Sequence, residues 1–392
     1  MHGPIAPSRP IYLDHHATTP CDPRVVAAML PWFTERFGNP HSAEHALGRE
    51  AETAVEQARE EVAALIGAEA REIVFTSGAT EANNLAIKGV ARFARAQAGP
   101  RRRIVTVATE HKCVLESVRD LAAEGFEPVI LPVRPDGLLD PDVLASAVDD
   151  STLLVSVMAA NNEIGVVPDL SALVAIAKRF GVLVHSDAAQ AAGKIVLDVA
   201  ALGVDLLSLS AHKMYGPKGV GALYVRRRPR VRLSPVFSGG GQERGLRSGT
   251  LPAPLIVGFG EAARIARAEM AEEAARLASL RDTLWKRLSA AIPGLRQNGH
   301  PSARLPGNLN LTFPVARAAD LMARCPGLCL STGSACSSAE IEPSYVLRAI
   351  GLSEAEAGRT LRIGLGRSTS PADIDLAAAA LIAAHEACVA AA

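Results

Sequence analysis

The 392 residues carry 41 Lys and Arg against 41 Asp and Glu, and 48% of them are hydrophobic. The length exceeds a typical single domain and the apolar share supports a large core, so two domains are expected. Zero net charge supplies no global field for nucleic acid or an anionic membrane. The opening stretch 1–10 is proline-rich without a signal-peptide core, and no apolar run reaches membrane-spanning length. A cytoplasmic enzyme is expected, with no direct nucleic-acid or membrane partner. Six sparse cysteines lack paired zinc spacing, so neither a disulfide framework nor a metal site is expected. Cys325 and Cys329 form only C-x3-C and read as buried thiols, as do Cys21, Cys113 and Cys388. The arginine clusters 101–103 and 226–228 lack interleaved aromatics and read as solvated loops or strand ends.

Short β-branched runs recur at 72–76, 104–108, 127–131, 153–158, 182–186, 206–210 and 220–225, with helical patterns between them. This alternation predicts an α/β fold with a mostly parallel central sheet, which places ligand chemistry at the strands' carboxyl ends. Asp169 starts a helix that Gly181 stops. Beyond Pro252 an Ala, Glu and Arg-rich stretch, 254–292, reads as one or two long amphipathic helices. Strands at 309–313 and 360–364 and helices at 344–349 and 371–384 then describe a smaller α+β domain.

Ser77-Gly78-Ala79-Thr80 joins a strand to a helix start, whose amides and dipole suit a phosphate monoester, although a plain N-cap by Ser77 or Thr80 fits the same residues. His111, just past the strand 104–108, either lies over a ligand ring or caps the next helix. Asp187 and Lys213 each close an apolar strand, with Gln190 just behind the former. An amine there can form a Schiff base with an aldehyde cofactor while a neighbouring carboxylate keeps a pyridine nitrogen protonated, which points to pyridoxal phosphate. Taken singly, those two segments more often signal a surface lysine beside a capping aspartate.

The glycine-rich stretch 238–245 is no dinucleotide fingerprint, because Arg244 stands where the last glycine belongs and no helix follows. It reads as a loop near the site, contributing Thr250. Cys336 lies in a run of small residues, 331–339, able to carry a side chain to and fro. A thiol of pKa about 8.5 is a few per cent thiolate at neutral pH, so reactive use is open to it. Arg362 interrupts an apolar strand, and either grips a carboxylate by two parallel hydrogen bonds or faces solvent from a sheet edge.

Taken together these residues resemble the NifS-like cysteine desulfurases of the class V aminotransferase family, which have the fold-type I pyridoxal phosphate architecture. The resemblance runs from Ile11-Tyr12-Leu13-Asp14-His15-His16-Ala17-Thr18-Thr19-Pro20 nearly to the C-terminus. It is carried by Ser77-Gly78-Ala79-Thr80-Glu81-Ala82-Asn83-Asn84, Asn161-Asn162-Glu163-Ile164-Gly165, Ser210-Ala211-His212-Lys213 and Leu246-Arg247-Ser248-Gly249-Thr250-Leu251. Gly333-Ser334-Ala335-Cys336, followed by Glu342-Pro343-Ser344-Tyr345-Val346-Leu347, narrows it to sulfur chemistry.

The resemblance implies a large pyridoxal phosphate-binding domain at 15–257, and a small domain from 1–14 and 258–392 that carries the cysteine loop. It implies Lys213 as the Schiff-base lysine, Asp187 at the pyridinium nitrogen, Gln190 and Asn162 at the ring hydroxyl and substrate side, and His111 stacked on the ring as acid or base. Ala79, Thr80, Ser210 and His212 would hold the phosphate, Thr250 would reach the partner's site in a homodimer, and Arg362 would fix the substrate carboxylate. L-Cysteine would yield L-alanine and a persulfide on Cys336 for a protein acceptor. The chain stops soon after the last helix, without the tail by which housekeeping members dock an iron-sulfur scaffold. Iron-sulfur assembly remains the first expected destination, with tRNA thiolation, DNA phosphorothioation or another sulfur pathway open. A selenocysteine lyase, a related aminotransferase and a silent sulfur-relay subunit are the competing readings. The aminotransferase would need no Cys336.

Overall fold

The computed structural model describes residues 10–332 and 344–391. Twelve strands follow in chain order among them: β1 (Ile11–Tyr12), β2 (Ile73–Thr76), β3 (Arg103–Val107), β4 (Glu127–Leu131), β5 (Thr152–Ser156), β6 (Leu183–Asp187), β7 (Leu206–Ser210), β8 (Gly221–Val225), β9 (Arg296–Gln297), β10 (Asn308–Thr312), β11 (Leu328–Cys329) and β12 (Thr360–Gly364). Seven form the main sheet in the order β2-β8-β7-β6-β5-β3-β4. Its pairs from β7 through β4 are parallel, and β8 runs antiparallel to both β7 and β2. The expected α/β architecture with a mostly parallel sheet is thus present. Strands β2, β5, β7 and β8 are buried along their whole length, which is why they read as continuous apolar runs rather than as alternation.

The helix Ala79–Ala96 packs on that sheet through Ala82, Leu85, Ala86, Val90 and neighbouring residues, at the helical spacing that makes one apolar face. Gly221, which opens β8, must be glycine: a Cβ there would stand 2.4 Å from the Leu209 carbonyl oxygen and 2.7 Å from Gly78 Cα. The turn after β2 can therefore pass directly over the end of β8.

A second sheet, β12-β10-β9, is antiparallel, and β1 pairs in parallel with β11. The two larger sheets pack into different cores. One gathers Val105, Val155, Val184 and Leu207, and another gathers Leu309, Leu311, Leu361 and Ile363. The stretch beyond Pro252 is one helix of 39 residues, Ala253–Ala291. Its first half, Ile256 to Ala266, packs into the former core, and Leu277 to Leu288 pack into the latter. Among the described residues no helix is long and apolar enough to cross a membrane, and no cluster of His, Cys, Asp and Glu could hold a metal ion.

Candidate active site

The carboxyl ends of β2, β6 and β7 open on a cavity of about 470 Å3. Ala79, Thr80, His111, Asn162, Asp187, Gln190, Ser210, His212, Lys213 and Arg362, which lie up to 283 residues apart, all line it. Thr250 is exposed and lies outside this lining. Cys336 falls outside the described residues.

At one end the helix Ala79–Ala96 points its N-terminus at the cavity. Its cap is Gly78, with φ at 148° and no capping side chain, so the plain N-cap by Ser77 or Thr80 does not form. First-turn amides without a side-chain cap, beside Ser210 and His212, make an anion-binding end. Thr18 Oγ1 holds His212 Nδ1 at 3.0 Å. Burial, then the charges of Lys213, Lys218 and Lys194, push His212 down to about 4, so it is neutral at pH 7.

Lys213 follows β7 on a short 3-10 turn, Ala211–Lys213. Its Nζ donates to the carbonyl oxygens of His16 at 2.9 Å and Ala17 at 2.7 Å. Asp187 closes β6, where its carboxylate accepts from Asn83 Nδ2 at 2.7 Å and from the Ala189 amide at 2.9 Å. The surface-lysine alternative fails, because both groups face a shared interior space. Gln190 is more constrained than its sequence neighbourhood suggests. Its Oε1 meets His16 Nδ1 at 3.2 Å and Lys194 Nζ at 2.8 Å, and its Nε2 donates to the His16 carbonyl at 2.8 Å.

The helix-cap reading of His111 holds, and the residue also faces the cavity. It caps the helix Lys112–Asp120 by accepting from the Cys113 amide at 3.2 Å, and its ring also lines the cavity. Burial, with help from Lys213 and Lys112 and against Asp187, lowers its pKa.

Arg362 on β12 also lines the cavity and is only 2% exposed, which excludes the surface reading. One guanidinium nitrogen donates to Asp14 Oδ1 at 2.7 Å and another to the Asn162 carbonyl at 3.1 Å. Asp14 had carried no assigned role, although it sits in the first motif. Asn83 had none either, and Cys113, read as an ordinary buried thiol, is half-buried on the cavity wall. A polar Asn four residues into a helix that packs on a sheet was the available signal for Asn83; nothing in the sequence set Cys113 apart.

Three buried polar atoms on lining residues have no protein partner: His16 Nε2, Asn162 Oδ1 and Arg362 Nε. Such atoms are costly unless a ligand or water pairs them. An amine, a carboxylate 26 residues before it in sequence, an anion-binding helix end and a guanidinium therefore fit a phosphorylated pyridine aldehyde with an amino acid beside it.

Comparison with known proteins agrees with this geometry. The family described as aminotransferase class V matches residues 11–376. The chain is 52% identical over 368 residues to cysteine desulfurase IscS of Rickettsia bellii (strain OSU 85-389), covering 94% of this chain and 89% of that protein. The solved structure of a NifS-like protein superposes with a TM-score of 0.87 at 37% identity, covering 96% of this chain and 99% of that one. That of SspA in complex with cysteine does so with a TM-score of 0.79 at 38% identity, covering 91% and 98%. By family, fold and cavity alike, the chain belongs to the pyridoxal phosphate-dependent class V aminotransferases, in their NifS-like cysteine desulfurase group.

Proposed function

We propose that this chain is a cysteine desulfurase that converts L-cysteine to L-alanine and leaves the sulfur as a persulfide on Cys336. The observation that carries the reading is one cavity holding Lys213 and Asp187 on neighbouring strand ends with Arg362 across from them. Identity to a named cysteine desulfurase over 94% of the chain supports it.

When bound, pyridoxal phosphate supplies an electron sink for the bonds broken at the substrate's α-carbon. Lys213, anchored by two carbonyls, would hold the cofactor through its aldehyde and afterwards move the substrate's α-proton. Asp187 would keep a proton on the pyridine nitrogen. Ala79, Thr80, Ser210 and His212 would hold the phosphate, Gln190 and Asn162 would border the ring hydroxyl, and His111 would lie against the ring. Arg362 binds the substrate carboxylate beside Asn162. The Cys336 thiolate attacks the substrate sulfur: the new S–S bond forms as the C–S bond breaks, and the carbon product takes up protons to become alanine.

Residues 15–257 form the cofactor domain, and 1–14 with 258–392 form the small one that carries Cys336. The two separate cores support this division, and the long helix spans the boundary. Exposed Thr250 serves the partner's cavity in a homodimer. Sulfur passes to a protein acceptor in the cytoplasm, with iron-sulfur cluster assembly as the first destination to test. Incubating the cofactor-loaded protein with L-cysteine should release alanine and label Cys336 with sulfur. Alanine formation at the wild-type rate by Cys336→Ser would overturn the persulfide step.

A further inference from the structure

Cys113 Sγ lies 2.9 Å from His111 Nδ1 and 3.1 Å from Asn83 Nδ2. The same Nδ1 accepts from the Cys113 backbone N–H at 3.2 Å. A backbone N–H can only donate, so Nδ1 is the unprotonated nitrogen and the neutral imidazole carries its proton on Nε2. The thiol hydrogen is then the donor between Sγ and Nδ1. Asn83 Nδ2 also donates to Asp187 Oδ2 at 2.7 Å. A continuous polar run, Asp187 to Asn83 to Cys113 to His111, thus joins the carboxylate and the imidazole across the cavity wall.

A cysteine this close to a histidine is also the arrangement that activates a nucleophile. The surroundings decide against that role. Burial, then the charge of Asp187, pushes the Cys113 thiol up to about 12, with Glu110 adding to the effect and Asn83 and Thr80 opposing it. The thiol therefore keeps its hydrogen through the neutral range and acts as a hydrogen-bond donor.

We propose that Cys113 is a positioning residue: its thiol, oriented by Asn83, holds His111 as the neutral Nε2–H tautomer, so the imidazole meets the cavity's occupant as a hydrogen-bond donor. The identity of that occupant rests on the proposed function; the tautomer does not. Protonating His111 would set a hydrogen on Nδ1 against two donors, so the run opposes the imidazolium. Among the charged groups facing the ring, Lys213 and Lys112 oppose it as well, and Asp187 favours it.

The test is a pH titration of cofactor-loaded, 15N-histidine-labelled protein by long-range 1H–15N spectra, with His111→Gln to assign the signal. Wild type should show Nε2 protonated and Nδ1 bare from about pH 6 to 8. Cys113→Ser keeps a donor and should titrate with wild type. Cys113→Ala should raise the His111 pKa by about half to one unit, the worth of one neutral hydrogen bond. The acid limb of kcat should move with it while KM for cysteine holds. A purely structural role for Cys113 would lower stability without moving the titration. A protonated Nδ1 in wild type, or identical titrations in wild type and Cys113→Ala, overturns the inference. Absence of alanine release by wild type would instead strike the proposed function and leave the spectra interpretable.

Discussion

The cavity has two walls built on different plans. On the cofactor side, Asp187 and Lys213 each sit at or just past the end of a parallel strand, and their partners come from adjoining loops and one helix. On the substrate side, Arg362 lies mid-strand in β12 and is held by Asp14, 348 positions earlier in the chain. The first wall is a consequence of parallel-sheet topology, in which strand ends converge on one edge. The second exists only where the N-terminal segment and the small sheet meet, so it depends on the ion pair between Arg362 and Asp14. Chemistry is accordingly expected to fail when the first wall is altered, and binding when the second is.

The largest effect should come from Lys213→Ala, which removes both the cofactor's attachment and the proton carrier; kcat should fall by about 10^4-fold or more, measured as alanine release. Asp187→Asn leaves the geometry but not the charge, and kcat should fall by about 10^2- to 10^3-fold. On the other wall Arg362→Ala should raise KM for cysteine by about tenfold to a hundredfold with a smaller change in kcat, and Arg362→Lys should not restore it, because an ammonium cannot reproduce the paired hydrogen bonds. Asp14→Ala leaves the buried guanidinium without its counter-charge and should cost about 3–5 kcal/mol of stability, read by denaturant unfolding. An Arg362 variant that lost kcat alone would erase the distinction between the walls.

The same contrast shows in what the sequence made legible. The sheet strands could be read within a residue or two, because each is a short, largely apolar run between helical patterns. Lys213, Asp187 and His111 stood out because polar residues closing such runs are conspicuous. The substrate wall was obscure for the opposite reason: Arg362 looked equally like an edge residue until Asp14, Ser331 and the Asn162 carbonyl were found against it. Cys113 was read as an inert buried thiol since its contact with Asn83, 30 positions away, is set by helix packing and not by local pattern. The pairing of β1 with β11 was likewise unforeseen, being two residues long on each side.

Acid should weaken the fold through two buried histidines. Burial lowers His15 and His185 from 6.5, to about 4 and about 3. Their unfolded forms bind protons first, so the stability they contribute is complete above about pH 6.5 and is lost as pH falls through the folded values. Each unit below 6.5 should cost about 1.4 kcal/mol per histidine until its folded pKa is reached, visible as a falling Tm between about pH 6 and 4.

The central claim is that Lys213 carries the cofactor. Lys194 is the informative rival, since burial and the nearby Lys213 charge lower its amine to about 7, yet it opens on a separate small cavity beside His15 and Tyr215. Borohydride reduction of the cofactor-loaded protein, followed by digestion and mass spectrometry, fixes the attachment point. The account predicts the phosphopyridoxyl mass on the peptide containing Lys213; the label on Lys194, or on no lysine, would contradict it.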